Sequence, residues 1–193
     1  IKNILVVNII IMDKSKIGNL LAYISVTIPN VNLRKLIKLV YLIDERSVKS
    51  RGLSVTWLDY YVWEKGPVAP CIYEIKQDNG GVFSQYISSS RNAEGKVIIA
   101  SKISKSDSAI QFSKKELKLI DSILLEYGNM SADDLSDITH SDNGLWDIAI
   151  KKHNPDFKKS CGRSDIKLDL EDLISGDEEK MGVYEDARDI AMF

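Results

Sequence analysis

The chain has 193 residues, 44% of them hydrophobic and 28% charged, with a formal net charge of −2. That length allows one domain plus an appendage, and the composition excludes a wholly disordered or collagen-like chain. The charge is uneven: residues 1–159 hold 22 Lys and Arg against 18 Asp and Glu, while residues 160–193 hold 4 against 10. A mildly basic body therefore precedes an acidic tail, and neither has the clustered basic footprint that nucleic-acid binding requires.

Ile4 to Ile11 is far shorter than the roughly 20 apolar residues that cross a bilayer and lacks a cleavage site, so no membrane segment or signal peptide is expected. Met12-Asp13-Lys14-Ser15 reads as a natural start, making residues 1–11 a dispensable, non-native extension. Ile17, Leu20, Leu21 and Ile24 then follow helical spacing up to Pro29. Leu33, Leu36, Ile37 and Val40 repeat it between an Asn32 cap and Gly52. From Trp57 to Glu64 the residues are aromatic and β-branched on both alternating faces, which predicts a strand covered on both sides. Gly66-Pro67 forces a turn, and Pro67 or Pro70 opens a helix with Val68, Ile72 and Ile75 on its face. Val82–Ile87 and Lys96–Ala100 read as a hairpin around a Ser- and Gly-rich loop, joining the first strand in one small sheet. Ser113-Lys114-Lys115-Glu116 is a capping box for a helix through Tyr127, closed by Gly128 at positive φ. Ser131 caps a short helix, and Leu145–His153 forms another. Beyond Cys161 the apolar residues are too sparse for a core of their own, so the tail needs the body or a partner, and it is expected to order against the partner. The fold class is α+β, mainly α-helical: a compact helical domain over 12–159 with a small antiparallel sheet or hairpin, then the acidic tail 160–193.

The chemistry-bearing residues are few. Cys71 and Cys161 stand apart from any Cys-x-x-Cys pair, which fits reduced cytosolic thiols. His140 and His153 lack metal-ligand spacing, and no nucleophile elbow or phosphate-cradling loop occurs, so no catalytic residue, metal or cofactor is expected. His140 instead suits a helix end, where an imidazole satisfies loose carbonyls. Arg34, Lys35 and Lys38 form a basic face on the second helix. An ordinary solvated face explains them, but helix pair and hairpin together also fit a winged helix-turn-helix transcription regulator that binds DNA. Trp57, Tyr60, Tyr61 and Trp63 fit either core packing or an interface hot spot.

Taken together, the run Leu33 to Tyr41 (with Lys35, Leu36 and Tyr41), the run Tyr61 to Tyr73 (with Trp63, Gly66, Pro67, Val68 and Tyr73), and Thr139-His140 followed by Trp146 resemble the Panacea domain of SocA-like antitoxins. The likeness spans about residues 16–150. Two positions depart from the family pattern: Lys65, where many members have Tyr or His, and Leu145, where Pro is common. The resemblance implies a mainly helical, non-enzymatic antitoxin of a bacterial or phage toxin-antitoxin system, acting in the cytoplasm and neutralising a cognate toxin by direct binding. A variant of that theme is a proteolytic adaptor handing the toxin to a AAA+ protease. Trp57, Tyr60, Tyr61 and Lys65 are the expected partner-binding residues.

Overall fold

Asp13 accepts a hydrogen bond from the Lys16 amide and so starts the first helix, α1 (Lys14–Thr27), in the computed structural model, which describes residues 13–76 and 79–191. The expectations for residues 1–11 and for a start at Met12 lie outside those residues. Ile17, Leu20, Leu21 and Ile24 are fully buried, as their spacing requires. Asn32 caps α2 (Leu33–Arg51) by accepting from the Lys35 amide at 2.9 Å, and Gly52 ends it at φ 66°. Then follow β1 (Tyr60–Trp63), β2 (Gly66–Val68) and α3 (Pro70–Tyr73), with Pro70 at its first position. The hairpin β3 (Ile87–Arg91) and β4 (Val97–Ser101) leads to α4 (Lys105–Ala109) and α5 (Lys114–Tyr127). The body closes with α6 (Ala132–Thr139) and α7 (Leu145–His153), and the tail supplies β5 (Lys167–Leu168) and α8 (Glu178–Ala191). Among the described residues the fold is thus α+β and mainly helical, with two small antiparallel sheets.

The centre is α2, which packs on α1, α5, α6, β2 and the 3-10 turn Leu170–Ile174 of the tail. Twelve of its nineteen residues are buried, so even its polar side is largely covered. The capping boxes at Ser113 and Ser131 aim α5 and α6 at it, each with both reciprocal hydrogen bonds formed.

Six local expectations need correction. The turn after the first strand is Glu64-Lys65, so Gly66, Pro67 and Val68 form β2, and the helix that follows runs only from Pro70 to Tyr73, with Ile75 in a 3-10 turn. The first strand begins at Tyr60, because Trp57 takes φ 55° and donates its amide to Ser54 Oγ at 2.9 Å. Its two faces differ: Tyr60 and Val62 are buried, while Tyr61 and Trp63 are half-buried. The hairpin starts at Ile87, since Gly80 and Gly81 at φ 102° and 54° wind residues 81–83 into a 3-10 turn that buries Phe83. Its turn is held by Asn92, whose side chain accepts from the Glu94 and Lys96 amides. That hairpin is a separate sheet; β1 instead pairs with β2 (Trp63 opposite Gly66) and with β5 (Tyr60 opposite Leu168). Finally, Gly128 has φ −62° and closes α5 in right-handed geometry, where its carbonyl accepts from Lys35 Nζ at 2.5 Å.

The tail packs on its own body. Leu168, Leu170, Ile174 and Tyr184 are buried, Trp57 and Tyr184 meet at 5.0 Å between ring centroids, and Glu171 pairs with Arg188. Its apolar side chains turn inward while Asp169, Asp172 and Glu178 face solvent, so interleaved acids do not prevent docking. Each such buried side chain contributes at most about 1.5–3 kcal/mol. Ending the chain after Lys159 should therefore lower the thermal midpoint by on the order of 10 °C. An unchanged melt would show that the tail adds no stability.

Candidate functional site

Two charged residues of α2 are buried, and they differ in how they are satisfied. Asp44, fully buried, accepts from the Val55 amide at 2.8 Å, the Thr56 amide at 2.9 Å, the Thr56 hydroxyl and the Tyr60 hydroxyl at 2.7 Å. That carboxylate ties α2 to the loop entering β1, and Tyr60 stands edge-on to Tyr41 at 5.2 Å. Lys38, two turns earlier, is 1% exposed. Its ammonium has one long hydrogen bond, 3.5 Å to the Pro67 carbonyl, and takes part in no ion pair among the described residues. Burial, reinforced by the charge of Arg34, pushes its pKa down to about 7.

The start of β2 sits directly on this amine. Gly66 has φ 101°, and a Cβ there would collide with Lys38 Nζ while standing 2.8 Å from His140 Nε2 and 3.0 Å from Thr139 Oγ1. Glycine is required both for the backbone angle and for the approach. Thr139 and His140 come from the end of α6, and Thr139 Oγ1 donates to the Ser136 carbonyl at 3.0 Å. His140 stacks on Trp146 at 3.8 Å and 13°, and Trp146 Nε1 donates to the Trp63 carbonyl at 2.8 Å, fastening α7 to the end of β1. His140 Nε2 is buried without a partner. Burial and then the charge of Lys38 lower the imidazole pKa, against smaller opposing effects of Asp137 and the Lys65 backbone.

Beside this cluster opens a cleft of about 600 Å³, walled by the start of α2, the β1–β2 turn, the start of β4, the start of α6 and residues 161–163. Six cationic side chains line it (Arg34, Lys35, Lys38, Lys65, Lys96 and Arg163) against two acids, Glu64 and Asp133. Asp133 is already paired with Arg34. Apolar surface between the charges comes from Leu33, Ile37, Val68 and Met130. On one wall Trp63 and Tyr73 meet edge-on at 4.8 Å, with the Arg163 guanidinium 4.9 Å above the Trp63 ring. A neighbouring Lys76 hydrogen bond is the largest cause of the lowered Tyr73 pKa.

The structure thus brings Trp63, Gly66, Pro67, Thr139, His140 and Trp146 together, with Lys65, Val68 and Tyr73 on the cleft. The expected partner-binding residues do not form one patch. Tyr60 is fully buried and serves packing, and Trp57 lies against Tyr184 of the tail. Leu36 and Tyr41 belong to the core, and Lys35 Nζ is engaged with Gly128. Lys38, read as part of a solvated basic face, is the correction that matters most: helical spacing puts it on the polar side of α2, but the start of β2 covers that side. The Lys-Leu-x-Tyr core of the family pattern, matched here by Lys38, Leu39 and Tyr41, was the available signal. Asp44 was missed as well.

Among the described residues no group of three or more His, Cys, Asp and Glu could hold a metal, and no helix is long and apolar enough to cross a membrane. A sequence model of one family, Antitoxin SocA-like, Panacea domain, matches residues 36–147. No curated protein and no solved structure matches the chain.

Below pH about 7 the Lys38 amine is charged in both folded and unfolded chains, and the full cost of its burial is present. Above that, the folded amine is neutral while the unfolded one stays charged toward its ordinary value of 10.5, so stability rises across this interval. Denaturant titrations near neutrality and at about pH 9 should show that rise, and Lys38→Met should flatten it while stabilising the neutral protein. Equal pH slopes in both proteins would mean that folding does not lower the pKa of the amine. In a separate melt, Gly66→Ala should cost more than about 2 kcal/mol.

Proposed function

The chain belongs to the SocA-like antitoxin family with a Panacea domain, and on that premise we propose that it neutralises a toxin encoded beside it by binding that toxin directly through the cationic cleft. Family membership over residues 36–147 carries the reading. The cleft lies within that span apart from the start of α2, residues 28–35, and the 161–163 loop, and it joins features that binding surfaces combine: aromatic side chains, an arginine stacked on them and apolar walls between charges. The action is stoichiometric rather than catalytic, and takes place in the cytoplasm. Delivery of the bound toxin to a AAA+ protease would extend the same contact, since an adaptor must first hold its cargo.

The transcription-regulator reading finds less support. A recognition helix must be free to enter a major groove, whereas α2 has twelve buried residues and its Arg34 and Lys35 are engaged with α6 and Gly128. Of the remaining cations of the cleft Lys38 is buried, and the exposed Lys65, Lys96 and Arg163 come from three separate segments rather than from one helix that could enter a groove.

Co-expression tests the proposal. The neighbouring gene alone should arrest growth, the chain should restore it, and the two products should co-purify. A harmless neighbour, or rescue without a complex, would contradict neutralisation by binding.

A further inference from the structure

The Lys38 ammonium is nearly inaccessible, donates one long hydrogen bond and has no carboxylate partner among the described residues. Arg34 adds a like charge, and His140, whose pKa is lowered, adds no negative one. An unpaired buried cation costs several kcal/mol and is normally replaced by an apolar side chain unless something else requires it. Lys38 nevertheless lines the cleft, whose volume falls within the roughly 300–1,000 Å³ typical of ligand sites. The cleft also carries an excess of cations over acids, and its apolar walls lower the local dielectric, strengthening any ion pair formed inside.

We propose that the cleft receives an acidic segment of the toxin, with one of its carboxylates docked on Lys38. This rests on the antitoxin reading and names the chemistry of the partner's contact. The carboxylate would take the two Lys38 donors that Pro67 leaves unused, as a short charge-assisted pair. Lys65 on the rim holds a flanking acid, Lys96 stands beside it paired with Glu94 at 2.7 Å and would exchange that partner for an acid of the toxin, and Arg163, already stacked on Trp63, borders the same space. The apolar side chains next to the acids cover Leu33, Val68 and Met130. A protein segment fits better than nucleic acid, because the buried cation of the cleft lies beneath the start of β2, where a helical phosphate backbone does not enter.

Zero-length carbodiimide coupling of the purified complex of the full chain and the toxin tests this, since the reagent joins an amine to a carboxylate only where the two touch. Peptide mapping should find toxin Asp or Glu linked to Lys38, Lys65 or Lys96. Lys38→Met should weaken toxin binding at least about tenfold with no loss of thermal stability, while Lys115→Ala on exposed α5 leaves it unchanged. Lys65→Ala together with Arg163→Ala, both at exposed positions, provides a second test that does not disturb the buried cluster. If the complex forms but its links map elsewhere and Lys38→Met binds normally, the acidic-segment proposal falls while the antitoxin reading stands. Retention of duplex DNA or inorganic phosphate that depends on Lys38, with toxin links outside the cleft, would assign the site to a different anion and overturn it too. Failure of any complex to form would overturn both.

Discussion

The burial of the Lys38 amine beneath Gly66 and Pro67, where β2 begins, is the constraint around which this molecule is arranged. Because the ammonium stands where a Cβ would be, position 66 needs glycine at positive φ, and the strand pair β1–β2 is held hard against α2. Thr139 and His140, at the end of α6, crowd the same side of Gly66 as the amine does. Trp146 then stacks on His140 and bonds the Trp63 carbonyl, which fixes α7 against β1. Residues separated by more than a hundred positions are thereby locked around one charge that the protein itself leaves poorly compensated.

Asp44 shows the contrast. Four hydrogen bonds to one carboxylate make a satisfied buried ion, which specifies how the 54–56 loop meets α2 and needs no ligand. Lys38 is buried on the same helix without such partners. On the proposed function, the unfavourable charge at the wall of the cleft would trade stability for binding. The deep cluster is fixed by the fold, whereas Lys65, Lys96 and Arg163 stand exposed on the rim.

Much of the architecture was legible in the sequence because it is set locally. Asn32, Ser113 and Ser131 cap helices where their side chains reach the amide three residues on, and Leu145–His153 has the expected bounds. Gly66-Pro67 marked where the chain turns back after the first strand, although the turn itself is Glu64-Lys65 and Gly66 opens β2 at φ 101°. What could not be read depends on distant partners. Helical periodicity assigned Lys38 to a polar face and gave no sign of Asp44, and only the start of β2 and the 54–56 loop make those positions interior. The pairing of β5 with β1 joins residues about a hundred positions apart, and the tail's short alternation of Leu with acids gives no sign of which side will find a surface. The aromatic run from Trp57 to Trp63 looked like one patch because it is contiguous, yet φ 55° at Trp57 and the pleat of β1 send its rings to the tail, the core and the cleft.

That the toxin is held in the cationic cleft is tested most directly by amide hydrogen exchange of the full chain, alone and in complex. Binding there should slow exchange in residues 28–38, 63–68, 130–133 and 161–163, which border the cleft, and leave the exposed face of α5 and the whole of α8 unchanged. Protection concentrated on α5 or α8, with the cleft segments exchanging as in the isolated chain, would contradict it.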